Sequence, residues 1–308
     1  MNAKKKESSD AETPASSRSA PIGRGTRWIV ASALIVIVTG GACYAVWQQV
    51  REHVLGRDEY QVDPQQITVS RQPEWIHSDV RAEVVRDASF DGPLSLLDPQ
   101  LTVRIASAFA AHPWVAHVHR VSKKYPSGVE VLLEYRQPAA MVEVNGGALP
   151  VDGDGVLLPT TDFSTEDAER YPRISAIHTS PVGTVGTRWG DAAVSGGAEI
   201  AAALAGHWHA LELQRIEPAG RKPGRTGSEY VFTLFTRGGT RIDWGRAPST
   251  ELPGEIPLGD KIAQLKQFAA QNGSLDGPGG PQHLAFLDSG ELAVKPRPTI
   301  HPLPKKGQ

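Results

Sequence analysis

Two pairs of histidines carry the spacings nearest to a metal site. His117-x-His119 would share one face of an extended strand, since residues i and i+2 point the same way. A zinc site needs three or four ligands with support behind them, and no third ligand lies nearby. His207-x-His209 falls in a helical pattern, where i and i+2 do not face each other. Exposed or rim histidines are the plainer reading of both pairs. Asp152-Gly153-Asp154-Gly155 contains a fragment of a calcium loop without its length or closing glutamate. A turn using Asp and Gly to reach positive φ accounts for it. Gly183-x-x-Gly186 lacks the strand-then-helix setting of a dinucleotide fingerprint. There is no Gly-x-Ser-x-Gly, P-loop or His-Glu-x-x-His sequence, and nothing singles out a dispersed triad. The residues therefore predict no enzyme, no cofactor and no metal.

The elements that position these residues start from composition. The chain has 308 residues, which allows about two domains. It carries a net charge of -2 and a pI near 6.6, which argues against a protein that coats nucleic acid. One cysteine, Cys43, excludes an intrachain disulfide framework and any Cys-rich zinc site. The 31 glycines and 24 prolines predict many turns and short strands. Charge is unevenly spread. Residues 1–27 hold six Lys or Arg against three acids, a net of +3, and the rest carries -5.

Between Trp28 and Trp47 run twenty residues without a charge, WIVASALIVIVTGGACYAVW. At ~1.5 Å per residue they make a helix ~30 Å long, the thickness of a bilayer's hydrocarbon core. A tryptophan at each end suits the headgroup layer. A cleaved signal peptide would have a shorter core nearer the N-terminus. A lipoprotein signal ending at Cys43 fits poorly, because Gly40 stands three residues before it and the apolar run continues. Residues 28–47 are thus read as a permanent span. The positive-inside bias puts the disordered tail 1–27 in the cytoplasm and the 261 residues 48–308 outside, a single-pass type II arrangement.

Residues 61–144 read as one α+β unit. Ile67–Val69 is a short strand. Ser78 caps a helix with Val80, Val84 and Ala88 on one face. Asp98-Pro99 starts a second helix carrying Leu101, Ile105, Ala108 and Phe109, which His112-Pro113 stops. Trp114–Ser122 and Val129–Tyr135 are strands joined by a Tyr125-Pro126-Ser127-Gly128 turn. Trp114, after Pro113 at the helix-to-strand corner, anchors their packing. Trp75, Trp189, Trp208 and Trp244 are also core or rim. The order is β-α-α-β-β, two helices on one face of a three-stranded sheet.

Residues 145–298 read as a mostly antiparallel β domain with two helices, followed by a loose, proline-rich tail at 299–308. One helix spans about 195–211, with Ile200, Leu204, Trp208 and Leu211 on a stripe; the other holds Leu258, Ile262, Leu265 and Phe268. Arg221–Ser228 is a turn or hairpin loop. Strands are predicted at Tyr230–Thr236, Thr240–Trp244, His283–Leu287 and Leu292–Lys295, with turns at Gly238-Gly239 and Asp288-Ser289-Gly290. If the last strand ends its sheet, its unpaired N–H and C=O groups invite another strand.

This order resembles the FtsQ/DivIB family of bacterial cell division proteins. HPWVAHVHRVSKKYPSGVEVLLEYRQPAAMVEV (His112–Val144) resembles the end of that family's POTRA module, and LPVDGDGVLLP (Leu149–Pro159) its entry into the β domain. GGTRIDWG (Gly238–Gly245), KIAQLKQF (Lys261–Phe268) and LAFLDSGELAVKP (Leu284–Pro296) resemble the β domain's closing segments. Departures fall in ITVSRQPEW, at 221–228 and at 246–257. The resemblance implies a non-catalytic scaffold of the division septum in the inner membrane. Its partners would be small coiled-coil division proteins of the FtsB/FtsL type and other divisome proteins. It implies that Leu292, Ala293, Val294 and Lys295 pair with a partner's strand, and that Lys261, Leu265 and Phe268 of the preceding helix contact it. A POTRA-bearing envelope or secretion adaptor and a membrane-tethered hydrolase are the alternatives.

Overall fold

The computed structural model describes residues 24–55, 60–225, 227–287 and 290–296. The predicted tail at 299–308, residues 1–23 of the N-terminal tail, and Asp288 and Ser289 lie outside the described residues. The chain divides into two compact units, Met1–Arg57 and Asp58–Gln308. The architecture is mixed α/β, with six α-helices among the described residues.

The described part of the first unit is one helix, α1 (Arg24–Leu55, 32 residues). It begins four residues before the predicted span and continues eight beyond it. Its Ala31–Val50 segment is long and apolar enough to cross a membrane. Trp28, Ile35, Ile37, Tyr44 and Trp47 are all exposed. An apolar surface on every side of the helix suits an apolar solvent.

In the second unit, the first layer is a three-stranded sheet ordered β2-β5-β4, built from β2 (Thr68–Val69), β4 (Val115–Lys124) and β5 (Gly128–Tyr135). β2 runs parallel to β5, and β4 antiparallel to it. Two helices, α2 (Val80–Asp87) and α3 (Leu101–Ala110), share one apolar cluster with this sheet. Val80 and Val84 enter it from α2, Leu101, Ile105 and Phe109 from α3, and Val129, Val131 and Leu133 from β5. The period of four on the helices and of two on β5 meet in that cluster. Two helix starts differ from the sequence reading. Asp79, not Ser78, caps α2, accepting from Ala82 N. α3 starts at Leu101, because Asp98 spends its carboxylate on a turn, accepting from Gln100 N at 2.8 Å. A two-stranded ribbon of β1 (Gln61–Val62) and β3 (Leu94–Ser95), too short to show a period, adds to this layer.

The second layer is an eight-stranded sheet ordered β13-β12-β11-β10-β9-β8-β6-β7. Its strands are β6 (Pro138–Val144), β7 (Gly147–Asp152), β8 (Arg173–Ile174), β9 (Leu213–Gly224), β10 (Gly227–Thr236), β11 (Arg241–Gly245), β12 (His283–Phe286) and β13 (Leu292–Val294). β6, read from sequence as the end of the α+β unit at 61–144, belongs to this sheet and pairs with β7 and β8. The sheet is mostly antiparallel, as expected, but three of its junctions, β6/β8, β8/β9 and β11/β12, run parallel over two or three residue pairs each. Parallel neighbours need long crossovers. Two of these carry α5 (Ala192–Leu204), between β8 and β9, and α6 (Leu258–Asn272), between β11 and β12. A third helix, α4 (Thr165–Arg170), held by a Ser164–Asp167 capping box, precedes β8. α5 ends at Leu204 instead of 211, yet Trp208 and Leu211 remain buried from the turns that follow.

β9 was not expected as a strand, and Arg221–Ser228 is the distal end of its hairpin with β10. Pro218 and Pro223 argue against a central strand. They are tolerated because β8 pairs with β9 only at Arg215 and Ile216, which leaves the rest of that side open.

Candidate functional site

The eight-stranded sheet ends at β13, where the four residues carried by the resemblance stand. β13 pairs with β12 through Leu284↔Val294, Ala285↔Ala293 and Phe286↔Leu292. Leu287 N donates to Glu291 O at 2.8 Å and Lys295 N to His283 O at 2.7 Å. In an antiparallel ladder, hydrogen-bonded and non-hydrogen-bonded pairs alternate. With 291 and 295 bonded inward, Ala293 also turns its backbone toward β12. Leu292 and Val294 turn their N–H and C=O outward. No strand covers that side among the described residues. The side chains alternate as well. Leu292 packs on the main core, and Ala293 and Lys295 point to the other face.

On that other face, three nitrogen-bearing side chains converge on Asp243 of β11. Arg241 Nε lies 3.1 Å from Oδ1. His283 Nε2 of β12 lies 2.9 Å and Lys295 Nζ 3.0 Å from Oδ2. Burial pushes the Asp243 carboxyl up, but the hydrogen bonds from Lys295 and His283, with the charges of His283 and Arg241, hold it below the usual aspartate range. Lys295 is thereby tied across β12 to β11, so the end of the edge strand is pinned by charge as well as by the ladder. Sequence reasoning missed Asp243 and His283. The signal was the Arg-x-Asp alternation of β11, which puts 241 and 243 on one face.

The helix residues carried by the resemblance stand elsewhere. Lys261 and Leu265 are buried, and Phe268 is half-buried against the core. Lys261 is 3% exposed; its Nζ lies 2.8 Å from Glu251 Oε1 and over the Trp244 ring at 5.2 Å. These three face inward and hold α6 in place, so a partner lying on α6 would meet its other face. α6 is tied to the edge hairpin by Gln264 Nε2, which donates to Gly290 O at 2.6 Å.

The other sequence candidates are placed as follows. His117 and His119 are both exposed on β4, ring centroids 6.3 Å apart, with His119 paired to Glu134 at 3.0 Å. His207 and His209 lie in the turns after α5. Asp152 organises its turn, accepting from Asp154 N and Val156 N through Oδ1 and meeting Arg136 at 2.7 Å through Oδ2. Gly183 and Gly186 sit in a turn before α5. Among the described residues, no group of three His, Cys, Asp or Glu could hold a metal.

No protein-family model matches the chain, and no curated protein matches it by sequence.

Proposed function

We propose that the protein is a bitopic scaffold of the bacterial division septum, related in design to the FtsQ/DivIB proteins. In this reading α1 crosses the inner membrane with residues 1–27 in the cytoplasm, and the second unit works in the periplasm. The order β2-α2-α3-β4-β5 serves as a POTRA-type module, and the eight-stranded sheet serves as the partner-binding domain. The observation that carries the reading is the open edge of β13, where Leu292 and Val294 offer backbone donors and acceptors to one more strand. The partner is the periplasmic part of a small coiled-coil division protein of the FtsB/FtsL type, added in β-strand fashion.

The test is a photocrosslinking residue at position 294 in living cells, combined with a fluorescent fusion. The expected result is capture of small single-span division proteins and a midcell band, with filaments on depletion. Uniform membrane fluorescence in dividing cells overturns it. Capture of secretion components instead would favour an envelope adaptor.

A further inference from the structure

An aromatic-lined groove of about 430 Å³ opens at the amino ends of β6 and β8, beside the turns that follow α5. Trp75, Phe163 and Tyr171 line it, and all three are half-buried, so part of each ring stays open to a ligand. Their positions are fixed from behind. Trp75 Nε1 donates to Arg136 O at 3.1 Å. The Phe163 ring stands nearly perpendicular to that of Tyr171, centroids 5.8 Å apart, and lies 6.0 Å from that of Trp114. The Tyr171 hydroxyl takes part in no hydrogen bond among the described residues. Fixed aromatic walls with a free donor suit a polyproline II segment, whose carbonyls have no internal partner and whose shape is set before binding. The rim is acidic. Asp167 is paired with Arg170 at 3.3 Å, which leaves the charge of the buried Asp162 and of the exposed Glu74. Glu74 has no ion-pair partner among the described residues.

One segment of this chain has the matching chemistry. Prolines stand at 296, 298, 302 and 304, Arg297, Lys305 and Lys306 add positive charge, and no acid follows Glu291. The topology delivers this segment to the right end of the sheet. β13 runs antiparallel to β12, β12 parallel to β11, and β11 and β9 are both antiparallel to β10. β8 and β6 run parallel to β9. The carboxyl end of β13 therefore lies at the end of the sheet where β6 and β8 begin and the groove opens. From β13 to β8 the sheet order counts five strand intervals, ~24 Å at ~4.8 Å each. Pro304 is eight residues past Pro296, which at ~3.1 Å per residue reaches ~25 Å, and Lys306 reaches ~31 Å.

We propose that residues 297–308 dock in this groove of their own chain as a polyproline II segment. Pro302 and Pro304 pack on Trp75, Phe163 and Tyr171, the Tyr171 hydroxyl donates to a carbonyl of the segment, and Lys305 and Lys306 lie against Glu74. The docked segment ties the end of β13 to Trp75 of the smaller layer. The groove is separate from the outward side of β13, and the proposal does not rest on the division reading.

The full-length chain and a chain stopped after Pro296 are compared in nanodiscs holding one copy each, with ¹⁵N at the tryptophan indoles. The expected result is a shifted Trp75 indole signal in the shortened chain, identified as the one absent in Trp75→Phe, with the Trp189 and Trp244 signals in place. A synthetic peptide of residues 296–308, titrated into the shortened chain, reverses the shift saturably. The peptide carrying Pro302→Ala and Pro304→Ala binds at least tenfold more weakly. Glu74→Gln in the shortened chain weakens binding about threefold, as an exposed ion pair allows. Coincident Trp75 signals in the two chains overturn the proposal; if the added peptide then still binds, the groove serves a proline-rich segment of another protein. A shift that appears only with two copies per nanodisc overturns docking within one chain and assigns the segment to a second copy. Equal binding of the peptide without its prolines overturns the polyproline reading.

Discussion

The indole N–H of Trp114 donates to Asp162 Oδ2 at 2.7 Å, joining the corner between α3 and β4 to the segment that follows β7. Asp162 is 4% exposed, and its Oδ1 also accepts from the backbone N–H of His77 and Ser78, each at 2.9 Å. One carboxylate thus holds three donors from two stretches of the smaller layer. Leu158, from the same segment, is buried in that layer's core. The two layers are therefore locked by a residue whose role lies 48 positions from its tryptophan.

Asp162→Ala is expected to leave three buried or half-buried donors unpaired and to cost about 2–4 kcal/mol in denaturant unfolding. Trp114→Phe keeps most of the ring and removes one donor, so it should cost about 1–3 kcal/mol. The double variant should cost less than the sum of the two, because each single change already breaks the same bond. Simple additivity would show that the bond contributes nothing beyond packing.

Gly196 on α5 sits where the helix presses on the sheet. A Cβ there would meet Phe232 Cζ at 2.6 Å and Cε2 at 2.8 Å, with Ala247 Cβ at 3.2 Å. Helix propensity favours alanine over glycine by about 1 kcal/mol. Overpacking against a fully buried ring costs about 1–3 kcal/mol. Gly196→Ala is therefore expected to destabilise in thermal or denaturant unfolding, against the propensity scale. A gain in stability would mean that α5 moves off the sheet freely.

The sequence made the strongly periodic elements legible and hid those set by tertiary context. Leu258, Ile262, Leu265 and Phe268 marked α6 by their stripe, and the alternation from Val129 to Tyr135 marked β5. Lys261, expected to contact a partner, is buried instead, because Glu251 and the Trp244 ring, neither of them on its helix, hold its ammonium inside. β9 was hidden by Pro218 and Pro223, which are admissible because β8 pairs along that side only at Arg215 and Ile216, with no other strand there among the described residues. At the edge, spacing gave the strand but not its inward and outward backbone, which follows from the register with β12. Asp243 became visible as a hub only once β11, β12 and β13 lay side by side.

The Asp243 carboxyl is held below its ordinary range when folded, with burial opposing and the Lys295 and His283 hydrogen bonds prevailing. A depressed aspartate contributes stability above its unfolded pKa of about 3.9 and loses it as the pH falls through the folded value. The intact protein should therefore lose more stability on acidification below about pH 4 than Asp243→Asn does. Denaturation midpoints of the two proteins between pH 3 and 6 check this. Parallel curves would mean that the charge cluster at the sheet edge adds nothing to folding. Partial exposure of the cluster keeps the difference small.

Val294 and Ala293 are neighbours on β13 with opposite backbone directions, and proline distinguishes them. Proline removes a donor and is tolerated on a strand only where that donor is not in the ladder. Ala293→Pro removes a donor aimed at β12 and should loosen the edge hairpin, lowering the thermal midpoint. Val294→Pro removes a donor aimed at open space, so the β12–β13 ladder and the thermal midpoint should be nearly unchanged. If a partner strand adds to β13, Val294→Pro should nonetheless abolish its capture, because the incoming strand loses a bond and meets the ring. A Val294→Ala control keeps the donor and should bind. Undiminished capture by Val294→Pro would rule out strand addition at this edge and move the search for a partner surface to the outward face of α6.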